Sequence, residues 1–262
     1  AQPGDVERVA LQLLDEGTDA RACYASVVAD TPSCKLALKD FAGEDVVETF
    51  RSDNSRQLMA AARELDWLPG PTTPHRLPHN PKCERAIRST NDGTRAILLH
   101  AGFPPIWWGP AAIYFNVLWT VSKVVEMAGK IATPWEHRKG EPFTGKIMHF
   151  GSLVYFRPYI LDLQAQHRFS PPTMPGVMLG WKLQPGFNFK GDYKVASLDQ
   201  TRRLIDRGPG QGRVKAYHVT EVWPAKQLSF PLKADFDRRE LQGPGASRQE
   251  IAQFEVEPNT AV

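Results

Sequence analysis

The side chains of this chain that could do chemistry are few and scattered. Asp53 closes the run Phe50-Arg51-Ser52-Asp53-Asn54, and Glu84 follows 31 positions later at the head of a helical pattern. Carboxylates are oxygen donors to hard cations. On its own, though, Asp53 reads as an ordinary Ser-Asp-Asn turn, and Glu84 as an acid favoured by the positive end of a helix. Lys82, Arg85, Arg88 and Arg95 crowd the same helical stretch. Such side chains suit phosphate contact, and they equally make a solvated helix face.

The remaining candidates are weaker. His75 and His79 fall in a proline-rich loop, where they face solvent or a nucleic-acid backbone rather than a metal, and His137 and His149 are isolated. Cys83 adjoins Glu84 but has no positioned base, so it reads as a buried thiol. With Cys23 and Cys34 it makes an odd, unclustered set lacking CxxC or zinc spacing, which favours a reducing compartment. Gly208-Pro209-Gly210-Gln211-Gly212 is a flexible loop rather than a phosphate cradle, since no strand and helix flank it. Trp107, Trp108, Tyr114, Phe115 and Trp119 recur at helical spacing and belong to a core or an interface.

The elements that must hold these residues can be read from pattern. Val9–Leu14 and Cys23–Ala29 are apolar runs about the turn residues Asp15 to Asp19, a β-hairpin. Asp30-Thr31-Pro32 opens a helix that Gly43 closes. Val46–Phe50 reads as a strand delivering Asp53, and Leu58–Leu65 as a helix. Pro69–Pro81, with five prolines in thirteen residues, reads as a loop. Helices follow from Cys83 to Gly102 and from about Pro105 to Ala128. After Pro134 the texture changes to short alternating runs, Ser152–Phe156, Gly176–Trp181, Tyr193–Ser197 and Ala216–Val222, punctuated by Gly and Pro, which is an all-β pattern. Residues 236–262 read as a polar tail.

Composition bounds the answer. The chain has 262 residues, 42% hydrophobic and 10% aromatic, a globular rather than a disordered make-up. Its 32 basic and 29 acidic residues leave a net charge of +3, so any nucleic-acid binding must come from local patches. The first residues lack the apolar core of a signal peptide, and a chain opening on Ala1 without Met is expected to be a processed product or a fragment. Phe103–Ser122 carries no charge but contains Pro104, Pro105, Gly109, Pro110 and Asn116. It reads as a buried helix rather than a membrane span.

Three stretches in order carry a family resemblance: Phe50 to Asn54, Thr73-Pro74-His75 through Asn80 to Glu84-Arg85, and Gly93 to Trp108, which reads GTRAILLHAGFPPIWW. They resemble the copia-type retroelement integrases, whose patterns read SDN, TPxxPQxNGVAER and GTRALLxxAGLPPxFW. Gly151 to Tyr155 and Pro175 to Trp181 are similar to later strands of that family, so the resemblance spans roughly residues 9 to 235. It implies a ribonuclease H-like α/β core (residues 1–135), a small Src-homology-three-like β-barrel (136–235) and the polar tail. It implies that Asp53 and Glu84 are the second and third of three acids holding two magnesium or manganese ions, which would neutralise the attacking and leaving oxygens of a phosphodiester. It makes DNA the partner, met by Lys82, Arg85, Arg88 and Arg95, with self-association or a larger assembly besides. Nucleus or cytoplasm is the compartment expected.

The departures from the family pattern point the other way. Asn80-Pro81-Lys82-Cys83 replaces Asn-Gly-Val-Ala before the Glu-Arg pair, and proline forbids backbone conformations that glycine allows. The strand that should carry the first aspartate would precede Ala1. Asp15, Asp19 and Asp30 fall at a hairpin turn and a helix cap. The expectation is an integrase-like DNA-binding domain for DNA integration, catalytically incomplete in this chain. The alternative is a retained, non-catalytic structural or accessory subunit of a larger assembly, in which the long aromatic helix would face a partner or a membrane.

Overall fold

The computed structural model of the chain describes residues 7–52, 55–71, 81–159, 169, 171–207 and 214–242. Its first half is mixed α/β. Strands β1 (Val9–Leu14) and β2 (Arg21–Ser26) form an antiparallel hairpin in register from Val9↔Ser26 to Leu14↔Arg21. The turn closes on Asp15, whose carboxylate accepts from Gly17 N at 2.9 Å and the Thr18 hydroxyl at 2.6 Å. Helix α1 (Thr31–Ala42) starts where the Asp30 side chain accepts from Ser33 N, with Pro32 in its first turn, and ends at Gly43 with φ 63°. Strand β3 (Phe50–Ser52), helix α2 (Arg56–Arg63) and strand β4 (Pro69–Pro71) follow, and β3 and β4 pair in parallel.

Helix α3 (Pro81–Ala101) and helix α4 (Trp108–Ser122) pack together, joined by a 3₁₀ turn at Pro105–Trp107. Their approach is close: a Cβ on Gly93 would stand 2.1 Å from the Phe115 ring. α4 stops at Ser122, short of the expected Ala128. The β-branched Val124 and Val125 lead into a small hairpin, β5 (Val125–Met127) and β6 (Lys130–Ala132). Its turn residues Ala128 and Gly129 both have positive φ, 49° and 77°, as a tight primed turn needs. Helix α5 (Pro134–Lys139) then opens on a capping box between Thr133 and Glu136.

The second half is built on one five-stranded antiparallel sheet of β7 (Leu153–Phe156), β8 (Met174–Gln184), β9 (Asn188–Ser197), β10 (Ala216–Val219) and β11 (Val222–Pro224). Its order is β10-β9-β8-β7-β11. Three of the expected runs, Ser152–Phe156, Gly176–Trp181 and Tyr193–Ser197, fall on β7, β8 and β9, whereas the expected run Ala216–Val222 breaks at Thr220 and Glu221 into β10 and the start of β11. β8 and β9 are longer than expected because they continue into a tight turn at Gly186 and Phe187. β10 and β11 stand at opposite edges of that order, yet Thr220 and Glu221 alone separate them in sequence, a span of about 10 Å at most, so the sheet curls to bring its two edges together. Helix α6 (Leu198–Arg207) interrupts the strands, and helix α7 (Pro231–Gln242) takes up residues expected in the polar tail. The strand expected over Val46–Phe50 shifts to β3, and Val46 is 90% exposed.

One continuous core joins the two halves, from Leu13 and Leu38 through Trp107 and Tyr114 to Val154, Trp181 and Leu232. Tyr114 of α4 stacks on Trp181 of β8 with ring centroids 5.2 Å apart, and Phe150 and Phe103 extend the contact toward Trp107. A second seam joins α1 to the β8–β9 turn. There Gly186 N donates to Asp40 O at 2.7 Å, and a Cβ on Gly43 would stand 2.4 Å from Gly186 Cα. A core shared in this way unfolds as a unit. Urea titrations followed by far-ultraviolet dichroism and by tryptophan fluorescence should coincide in a single transition. Trp181→Ala should move both midpoints together, by about 3–5 kcal/mol of stability.

Candidate functional site

A cavity of about 900 Å³ opens between the hairpin and the β3–β4 pair. Val9 to Leu13 line it consecutively from β1, and Phe50, Arg51 and Ser52 line it consecutively from β3. Successive side chains of a strand point to opposite faces. Consecutive residues on one cavity therefore mean that both strands offer it an edge, rather than a face. α1 and α2 supply one wall through Cys34, Ala37 and Leu58, and α3 supplies the other.

Glu84 lies in the first turn of α3, exposed and on the rim of this cleft. Pro81 is the first described residue of α3, and a proline is tolerated in the first turn of a helix. Ser52 ends β3 on the same cleft, buried, with its hydroxyl 3.6 Å from Met59 Sδ. Asp53 comes next in sequence but lies outside the described residues, as do His75 and His79. Among the described residues, Glu84 is the acidic side chain lining the cleft. No group of three His, Cys, Asp or Glu comes together among them. A single exposed carboxylate gives magnesium one ligand and leaves most of its octahedral shell to water, so Glu84 by itself would hold the ion weakly.

Lys82, Arg85, Arg88 and Arg95 are all exposed. They project away from the side of α3 that buries Ala86, Thr90, Thr94 and Leu98. Lys82 Nζ reaches Glu16 at 3.3 Å, and Arg95 reaches Asp92 at 3.1 Å. Exposed pairs of this kind hold charge only loosely, which leaves the face basic. Burial pushes the Cys23 thiol up to about 12, with the Glu7 carboxylate adding to it, and also raises Cys34. Both are thiols rather than nucleophilic thiolates at neutral pH. His137 is anchored by a ring nitrogen 3.4 Å from Val125 O, and His149 packs against Phe230.

Tyr114 of α4 and Trp107 of the preceding turn lie in the core, with Trp108 packed against it, whereas Phe115 and Trp119 are half-buried at its edge. Trp107 is 1% exposed, and Trp119 Nε1 donates to Asp19 at 3.1 Å beneath the Arg21 guanidinium. What the sequence did not reveal is a buried polar network behind the cleft. Asn116 Oδ1 accepts from Gln12 Nε2 at 2.8 Å and from the Thr90 hydroxyl at 3.3 Å, while Asn116 Nδ2 donates to Ala112 O at 2.9 Å. The signals were a glutamine inside the apolar run of β1 and an asparagine inside the uncharged helix. Each is a polar group that burial tolerates only when bonded.

No protein-family model matches this sequence, and no curated protein matches it. Among solved structures, the chain is similar to the catalytic core domain of BIV integrase, with 15% identity and a TM-score of 0.36 over 48% of this chain and 81% of that one. It is similar to a chain of the simian T-cell lymphotropic virus intasome in complex with PP2A regulatory subunit B56 gamma, with 12% identity and a TM-score of 0.36 over 83% of this chain and 72% of that one. It is also similar to the HTLV-2 integrase catalytic core domain in complex with magnesium, with 12% identity and a TM-score of 0.36 over 49% and 90% of the two chains.

The polar network makes a clean test of what holds α3 and α4 against the hairpin. Asn116→Ala removes the acceptor that Gln12 and Thr90 share, while the Thr90 hydroxyl keeps Gln12 Oε1 at 3.1 Å and Gln12 Nε2 keeps Leu13 O at 3.2 Å. The loss should be about 0.5–1.5 kcal/mol per bond removed, read as a lowered urea midpoint with an unchanged slope.

Proposed function

We propose that this chain is an integrase-like, DNA-binding segment of a retroelement of the copia type, with a ribonuclease H-like core whose strand-transfer site is incomplete here. The observation that carries the reading is the placement of Glu84. It sits in the first turn of α3, on the same cleft as the end of β3, with Lys82, Arg85, Arg88 and Arg95 on the open side of that helix. Those are the residues that the ordered sequence motifs single out. The order of hairpin, helix, short strand, helix, short strand and long helix agrees with the same reading. Asp53 and Glu84 are the acids proposed to face magnesium or manganese, and DNA is the proposed partner.

Phosphate contacts release counterions, so binding by the α3 face should weaken steeply with salt. Replacing Lys82, Arg85, Arg88 and Arg95 by Ala should flatten the slope of log affinity against log salt by about one unit per lost contact. Fluorescence anisotropy with a labelled duplex measures this, and an unchanged slope would remove α3 as the DNA face.

With magnesium or manganese this chain alone should neither cut nor join labelled duplex ends. Misplacement of a reacting group by about an ångström costs on the order of a hundredfold in rate, and the described cleft offers a single acid. Strand transfer that disappears in Asp53→Asn would show that a working set of acids is present after all. Absence of both activity and salt-sensitive binding would instead favour a structural or accessory subunit.

A further inference from the structure

Three nitrogen-bearing side chains, Lys182, Lys194 and His218, come together on the five-stranded sheet. None of them lines the cleft or belongs to α3. His218 of β10 pairs in register with Lys194 of β9, and Lys194 pairs in turn with Gly180 of β8. Residues paired in this way share a face, with Cβ atoms about 5 Å apart. Imidazole and ammonium are therefore neighbours, and the glycine opposite brings no side chain of its own. Lys182 lies at an irregular step of the β8–β9 ladder, between the pairs Trp181↔Tyr193 and Leu183↔Phe189. Irregular steps re-aim side chains, and Lys182 Nζ comes to 3.4 Å from His218 Nδ1. β9 lies between β8 and β10, and neighbouring strands stand about 4.8 Å apart. The Lys182 side chain thus crosses β9, where Lys194 stands.

The cluster is held in place but not neutralised. Tyr159 Oη accepts from His218 N at 3.4 Å and donates to His218 O at 3.2 Å, which fixes the edge strand under the imidazole. All three side chains are half-buried, so a small solute can reach them. Two acids act on them, Asp40 of α1 on Lys194 and Asp192 of β9 on His218. Asp40 is already engaged, its carboxylate accepting from Tyr24 Oη at 2.7 Å. Among the described residues neither lysine makes an ion pair, and the contact with His218 is the hydrogen bond of Lys182.

The local chemistry shows the shortage of negative charge. Burial, and after it the Lys182 ammonium, hold Lys194 below the usual lysine range. Burial, Lys182 and Lys194 hold His218 down as well. Both directions are those of cations crowded together away from water. A lysine ammonium can only donate, so the neutral imidazole accepts from Lys182 at Nδ1 and carries its proton on Nε2. An anion that drew Lys182 to itself would leave Nδ1 open to a proton. Two ammoniums and an imidazolium then call for more than one negative charge. A phosphate monoester carries about −1.5 to −2 at neutral pH, with three acceptor oxygens for three donors. A carboxylate or a phosphodiester carries one charge and leaves the cluster in excess.

We propose that Lys182, Lys194 and His218 form an anion site on the sheet that takes a phosphate dianion, free or as the end group of a phosphomonoester. The inference goes beyond the integrase reading, since it uses no residue of α3 and no metal.

The probe is inorganic phosphate added to the full chain at constant ionic strength, with chloride as the reference anion. The imidazole signals are followed by nuclear magnetic resonance, and that of His218 is identified by its loss in His218→Gln. Phosphate should move the His218 signal saturably and raise its pKa, because a bound anion favours the imidazolium. Affinity should therefore rise as pH falls through that titration. Lys182→Met and Lys194→Met keep an apolar stem and remove the charge. Each should weaken phosphate on the order of tenfold, the worth of one charge-assisted hydrogen bond, with unchanged far-ultraviolet dichroism. Phenyl phosphate binding more tightly than inorganic phosphate would point to a phosphomonoester as the natural source, and the reverse order to the free ion. The native chain decides the matter without any variant. A His218 signal that phosphate moves no further than chloride does would overturn the proposal. So would a short DNA duplex that moves the signal where phosphate leaves it still, because the face would then serve a polyanion.

Discussion

The stack of Tyr114 on Trp181 is the contact on which the rest of this structure depends. It is nearly parallel, with an interplanar angle of 12°, and both polar ends are satisfied. Tyr114 Oη donates to Met148 O at 3.0 Å, and Trp181 Nε1 donates to Lys146 O at 3.0 Å. Buried aromatic pairs combine a large apolar area with a defined geometry, so this one fixes both the distance and the angle between α4 and β8. Position 180 holds φ 137°, a backbone conformation that side chains rarely adopt, and glycine accepts it where the strand passes the Tyr114 ring. Phe143, Trp135 and Phe187 carry the contact on from Trp181 to Phe41 of α1. The five-stranded sheet is thereby the platform for the α/β half, whose own strands are too short and too few to bury a core.

That dependence explains which parts of the fold could be read from sequence. α1 was legible because Asp30, Pro32 and Gly43 are local signals with local causes, and the hairpin because Asp15 to Asp19 can make only a turn. β4 was not legible. Pro-Gly-Pro is poor strand chemistry, and its pairing with β3 is imposed by the helix between them. The early stop of α4 was written in Val124, Val125 and the Ala128-Gly129 turn, but the uncharged run before them masked the change. α5 carried a readable capping box, Thr133 with Glu136, overlooked against the alternating pattern that follows. The order Asp53, Glu84, Arg85 and the Gly93–Trp108 run singled out Glu84 as a candidate, whereas the cleft that Glu84 borders was invisible in the sequence. Cavities arise from how elements meet, and no single segment encodes that meeting.

The cleft also sets the terms for any chemistry nearby. Its floor is held by Gln12, Thr90 and Asn116, one residue each from β1, α3 and α4, bonded to one another. A shared buried network of this kind is costly to break in part, so it fixes the depth at which α3 sits against the hairpin. Glu84 lies six residues, somewhat under two turns, before Thr90 on the same helix. Whatever positions Thr90 therefore positions the acid, and rim and floor move together.

α3 is the element in which these constraints converge, because its sides answer to different demands. One side buries Ala86, Thr90, Thr94, Leu98 and Ala101 and is bound by the packing of α4 and the hairpin. The open side carries Lys82, Arg85, Arg88 and Arg95, all exposed, with Lys82 reaching Glu16 and Arg95 reaching Asp92 at the surface. Glu84 stands at the end of the helix where a carboxylate is favoured by the dipole, so its place is stable with or without a cation. Replacing the acid would leave the packing and the exposed basic face intact, since neither uses it. Loss of the packing would remove both, because the buried side of α3 sets where its open side stands.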